Sequence, residues 1–180
     1  MTAYTLNEFC DDVRATLALD DNSDGREIVR QKLEILLADA DFLNSYVSDN
    51  HEHGVEQIYE DEALRFCILA YNMDAPRQSP PHDHGNSWAV YGQAAGRTDM
   101  TLWTIDEQGT LRPDREFRLN AGEAGLFDVG AIHSINYDQG AKFVRVTGVD
   151  LAQVERRVYD PDTSEVKVIE QVGTGTRSSN

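Results

Sequence analysis

Near the start of the chain, apolar residues recur at intervals of three and four: Leu6, Phe9, Val13 and Leu17. That is the period of an amphipathic helix. Thr5 followed by Glu8 has the spacing of a capping box, so a helix is expected over residues 5–19. A polar turn from Asp20 to Gly25 interrupts the pattern, which resumes at Ile28, Leu33, Leu36, Leu37 and Ala40 as a second helix. A short third helix is expected from Phe42 to Val47. Apolar stripes of this kind need a surface to cover, so residues 1–50 are expected to pack on the remainder of the chain.

From Val55 the pattern changes to short runs rich in β-branched and aromatic residues, punctuated by Gly, Pro, Asn and Asp. Strands are expected at 55–60, 63–73, 87–95, 98–105, 115–119, 124–128, 132–138, 142–150, 153–159 and 164–170. Hairpin turns are expected at Asp106–Gly109 and Tyr137–Gly140. This spacing suits an all-β sandwich or barrel over 51–171, with a polar tail at 172–180 that has nothing to bury and is expected to be disordered. No internal repeat, helix-turn-helix, P-loop or dinucleotide-binding signature occurs.

Charge removes two classes of partner. Against 16 Lys and Arg stand 32 Asp and Glu, a formal net charge of −16. A surface of that sign repels nucleic-acid phosphates and anionic lipid headgroups. The two cysteines suggest no disulfide framework, and neither a basic, apolar leader nor a long apolar run is present. A cytoplasmic location is the expectation.

The segment that carries chemistry is Pro80-Pro81-His82-Asp83-His84-Gly85. Alternate residues of an extended chain face the same side, so His82 and His84 can present two imidazoles to one point. A third, His133 in Gly130-Ala131-Ile132-His133, enters a later strand that a closing barrel can bring beside them. Asp83, between two ligands, is expected to point away from the metal, into solvent or onto backbone. His51 and His53 share the same spacing but follow a helix end and read as a solvated loop.

These residues resemble the cupin superfamily, with motifs G-x5-H-x-H-x3-4-E-x6-G and G-x5-P-x-G-x2-H-x3-N. His82, His84, Gly92 and Gly96 fit the first, and Gly122, Gly130 and His133 keep the spacing of the second. Trp88 and Ala89 stand where the glutamate would be, Asp128 replaces the proline, and Asn136 comes one residue early. The resemblance implies a jelly-roll barrel, a double-stranded β-helix, with three histidines and no carboxylate on the metal. Together with the helical N-terminus and the Pro-Pro-His-Asp-His-Gly string, the chain is similar to the thiol dioxygenases, which act on cysteine or 3-mercaptopropionate. That family implies Fe(II), a thiolate substrate and O2. Zn, Mn or Ni would also accept three imidazoles. The family's crosslinking cysteine falls at Ala89. Its Ser-His-Tyr series falls at Val146, Gly148 and Asp150 when read without gaps, and no arginine lies at Gly54 to Gln57.

Asp150 is the candidate general base or substrate anchor, Tyr71, Trp88 and Arg145 are the candidate pocket residues, and Arg65, Arg145 or His53 is the candidate replacement for the missing carboxylate anchor. Three readings stand open: a dioxygenase oxidising a small molecule such as a thiol, a non-redox metal enzyme, and a binding protein without turnover. Pairing of edge strands into a homodimer is expected by family analogy.

Overall fold

The computed structural model describes residues 4–169. Helix α1 (Leu6–Leu19) begins on the expected capping box, with the Thr5 hydroxyl accepting from Glu8 N–H and the Glu8 carboxylate accepting from Thr5 N–H at 2.8 Å. Helix α2 starts earlier than expected, at Ser23–Leu36, because the Asn22 side chain caps Asp24 and Gly25. Gly25 therefore lies inside a helix, where a Cβ would stand 1.8 Å from the Asp20 carbonyl oxygen. Helix α3 is Ala40–Tyr46, capped by Asp39.

Eleven strands follow among the described residues: β1 (Gly54–Glu60), β2 (Cys67–Asn72), β3 (Arg77–Gln78), β4 (Ala89–Ala95), β5 (Arg97–Ile105), β6 (Leu111–Asn120), β7 (Ala124–Phe127), β8 (Ile132–Tyr137), β9 (Lys142–Thr147), β10 (Arg156–Tyr159) and β11 (Val166–Ile169). One sheet has the order β1-β2-β9-β4-β7, the other β3-β8-β5-β6, and β10 pairs with β11. All pairings are antiparallel. From β2 to β9 the chain passes back and forth between the two larger sheets. That winding is the double-stranded β-helix, an all-β jelly roll with an N-terminal helical extension.

Every residue of β2 and of β9 is buried, because both faces of the five-stranded sheet are covered. Phe66, Ile68, Ala70, Trp88, Val90, Val144 and Val146 share a cluster with Phe9, Val13, Val29, Leu33 and Leu36 of the helices. Cys67, Leu69, Tyr71, Ala89, Tyr91 and Phe143 face the other way, into the barrel with Met100, Leu119 and Phe127. Gly92 is where the helices press closest, since a Cβ there would meet Leu33 and Leu37 at 2.7 Å.

Several expectations need correction. Tyr137–Gly140 is a turn, with Ala141 N–H donating to Asp138 O, but it is no hairpin: β8 and β9 belong to different sheets. The strand expected from residue 63 begins at Cys67, because Asp61 to Phe66 form a turn with Arg65 at φ 65°. The last expected strands are shorter, with a one-turn 3₁₀ helix at Leu151–Gln153 between β9 and β10. The two-residue β3 carries too few residues to show a period. The expected tail at 172–180 lies outside the described residues. Among those described, no helix is long and apolar enough to cross a membrane.

Candidate metal centre

His82 precedes β4 in a loop, yet it pairs with the second residue of β8. His82 N–H donates to His133 O and His133 N–H donates to His82 O, both at 2.9 Å. Residues that exchange both hydrogen bonds in an antiparallel pair project side chains to the same face. His84, two residues on, joins them. One ligand atom from each of His82, His84 and His133 lies within 4.8 Å of the other two. Ring centroids are 4.5 Å apart for His82 and His133, 4.8 Å for His84 and His133, and 5.5 Å for His82 and His84.

The donor chemistry fits a metal ion. His82 Nδ1 lies 2.9 Å from the Pro80 carbonyl, which can only accept, so Nδ1 carries the proton and Nε2 offers its lone pair. His84 Nε2 and His133 Nε2 are buried without a hydrogen-bond partner among the described residues, and the His133 ring lies beside the Ala131 backbone. Buried polar atoms are rarely left in that state without a ligand or ion. Burial pushes His82 down to about 4, helped by the Arg156 and Arg145 charges. It also holds His84 and His133 well below the usual imidazole range, with the neighbouring histidines adding to the effect. Neutral imidazole is the form that binds metal.

The loop that carries His82 and His84 is clamped from outside. Asp83, 3% exposed, points away from the cluster, as expected. Its carboxylate accepts from Gly85 N–H, Arg157 N–H and the Tyr159 hydroxyl, each at 3.0 Å, and its own N–H donates to Arg157 O. Tyr159 N–H donates to Pro81 O. The ligand loop and β10 are thus zipped together, and β10 brings a side chain that the sequence reading missed, Arg156.

The wall beside the histidines is aromatic and cationic. Phe127 stands 4.2 Å and Tyr91 5.8 Å from the His133 ring, centroid to centroid. Tyr71 stacks on Phe143 at 4.4 Å. The Arg145 guanidinium lies 5.1 Å from the Tyr71 ring centre and 5.9 Å from that of Tyr91. Arg145 therefore enters the chamber on β9, and burial pushes the Tyr71 phenol above its ordinary value, keeping it neutral. Tyr71 and Arg145 are on the side of the sheet that faces into the barrel, next to Tyr91.

Trp88 is not. It faces the helices, with Arg26 6.0 Å from its ring centre, and a Cβ on Gly148 would meet its Nε1 at 2.7 Å. The ligand loop, with Gly85 at φ 61°, resets the alternation, so that Ala89 and Tyr91 point inward and Trp88 and Val90 outward. On β9 the inward positions are Phe143 and Arg145, while Val146 packs toward the helices. The ungapped placement of the Ser-His-Tyr series at Val146 and Gly148 thus falls on the wrong face. Asp150 caps the 3₁₀ helix, accepting from Ala152 N–H at 2.9 Å and Gln153 Nε2 at 3.1 Å. Its charge is also felt by Arg145 and Cys67. Arg65 is exposed and paired with Glu60 at 2.5 Å, and His53 is exposed, so neither replaces Arg145. His51 accepts, through its carbonyl, from Asn72 Nδ2 and stands outside the three-histidine group.

No family model and no curated protein sequence matches the chain. Solved structures similar to it include the cupin domain of Schizosaccharomyces pombe Cnp3, at 13% identity and TM-score 0.42, covering 53% of this chain. The chain spans 60% of that protein's length. KdgF from a Halomonas species is similar at 14% identity and TM-score 0.43, over 57% of this chain and 91% of that one. A double-stranded β-helix protein of Klebsiella pneumoniae is similar at 12% identity and TM-score 0.41, over 72% and 89%. With TM-scores below 0.5, these likenesses leave the fold resting on the strand order itself. What that order assembles is a jelly-roll chamber that could hold one metal ion on three neutral imidazoles, with a buried guanidinium opposite them.

Proposed function

We propose that the protein is a non-haem Fe(II) dioxygenase acting on a small anionic molecule, with a thiol as the group oxidised. The observation that carries this reading is the ligand set: three neutral histidines with no carboxylate among them. Bound by His82, His84 and His133, ferrous iron would supply adjacent open positions for a thiolate and O2. Both oxygen atoms would end on sulfur as a sulfinic acid, so no further co-substrate is needed.

The chain's own residues have separate tasks. His82, oriented by the Pro80 carbonyl, keeps its tautomer fixed. Phe127, Phe143 and Met100 exclude water from the chamber. Arg145 offers the substrate's acidic group a charged partner, and Tyr71 and Tyr91 hold that guanidinium in place by their ring faces.

The test is oxygen uptake by protein loaded anaerobically with Fe(II), across a panel of thiol carboxylic acids. Consumption of one O2 per sulfinate formed is expected, and zinc-loaded protein should be inert. The proposal is overturned if no thiol raises uptake above free iron, or if zinc-loaded protein turns a substrate over under argon.

A further inference from the structure

Arg145 is 5% exposed, yet its Nε and Nη2 make no hydrogen bond among the described residues. Those two nitrogens lie along one edge of the guanidinium and aim their N–H bonds in parallel. That edge is the one that grips two oxygens of an acidic group side-on. The Tyr71 and Tyr91 rings lie against the guanidinium and the Tyr91 hydroxyl is a hydrogen-bonding neighbour of it, while Nε and Nη2 stay without a bond among the described residues. Asp150 exerts its charge on Arg145 from the start of the 3₁₀ helix, where it accepts from Ala152 N–H and Gln153 Nε2.

Arg156 is the second part. Its Nε is also buried without a partner among the described residues. Asp83 and the Pro81 carbonyl fix the strand that carries it, through Arg157 N–H and Tyr159. Val158, two residues on, bridges His82, which places Arg156 on the histidine side of β10; burial and the nearby Arg145 charge both hold its guanidinium below the ordinary value. Arg77 on β3 adds a further positive charge within range of Arg156. This concentration of cations sits inside a chain of net charge −16, so it is a local feature of the chamber and not of the surface.

We infer that Arg145 and Arg156 form one anion subsite, built for a ligand end with two negative charges and at least three oxygen acceptors: a phosphoryl-type group or a pair of carboxylates. A single carboxylate would satisfy the edge of Arg145 and leave Arg156 unmatched; a third oxygen meets both. The inference rests on the reading above only in taking the chamber as the substrate site. It requires neither iron nor oxygen chemistry.

The experiment is isothermal titration of the full chain, stripped of metal with EDTA, at pH 8 and matched ionic strength. The probes are inorganic phosphate, methylphosphonate, malonate and acetate. A dianion should bind at least about tenfold more tightly than acetate, and the better of methylphosphonate and malonate tells the two sources apart. Arg156→Gln should bring that preference to about one, and Arg145→Gln should abolish binding of all four. Arg145→Met, which replaces a buried charge by an apolar chain of similar length, should lose binding while its melting temperature rises. Equal affinity for acetate and the dianions, survival of the preference in Arg156→Gln, or no binding by any probe would overturn the inference. Because the protein is metal-free, absent oxygen uptake with anion binding intact sinks only the oxygenase reading, and the reverse sinks only this one.

Discussion

His82 and His133, fifty-one positions apart in the chain, exchange both backbone hydrogen bonds at 2.9 Å, and that pairing holds two imidazoles on one face before any metal arrives. The centre is preorganised by main chain, so removing one ring should remove metal without removing the fold. His133→Gln is expected to weaken metal binding by more than about 100-fold with an unchanged circular dichroism spectrum. Elemental analysis after dialysis against a competing chelator measures it, and full retention of metal would show that His133 is not a ligand.

Asp83 is expected to be a positioning residue. Asp83→Ala leaves Arg157 N–H and the Tyr159 hydroxyl without their buried acceptor. A stability loss of about 2–4 kcal/mol is expected, read by urea unfolding. Detachment of β10 should also lower the affinity for phosphate in metal-free protein, which a purely local defect would leave unchanged.

Trp88 should behave as part of the interface between helices and sheet. At 2% exposed, its truncation to alanine is expected to cost about 3–5 kcal/mol. Metal content per folded molecule should stay at the wild-type value. A loss of metal in folded Trp88→Ala would return this residue to the chamber.

Acid should weaken the attachment of α1. Burial alone would raise the Asp61 carboxyl, but the N–H groups of Leu64 and Ala63, the Arg14 guanidinium and the Tyr59 hydroxyl outweigh it and hold the group below the ordinary carboxylate value. A depressed folded-state value contributes stability above the unfolded pKa of about 3.9, and that contribution is lost as pH falls through the folded value. Urea midpoints compared at pH 7 and pH 3 should fall less in Asp61→Asn than in wild type, since the variant has no such proton to gain.

Much of this protein was legible in its sequence, and for a local reason. The Thr5 and Glu8 box acts over three residues, the His82 and His84 pair over two, and the strand runs show their alternation within a single window. The glycine frame around His133 brought the third histidine within reach of the same reading. Partners chosen across the fold were not legible. The Tyr137–Gly140 segment has hairpin chemistry, yet which strand β9 joins is decided by the sheet that β2 and β4 offer it. Trp88 lost its expected place because the turn at Gly85 shifts the inward face by one residue.

Arg156 marks the boundary most sharply. It stands beside Arg157, and a pair of adjacent arginines carries no sign of which one turns inward. Sequence alone determined three histidines on a barrel. The choice of inward arginine, and with it the charge of the chamber, belongs to tertiary structure, because Asp83 grips the backbone of Arg157 from the outside and so turns its neighbour toward the site.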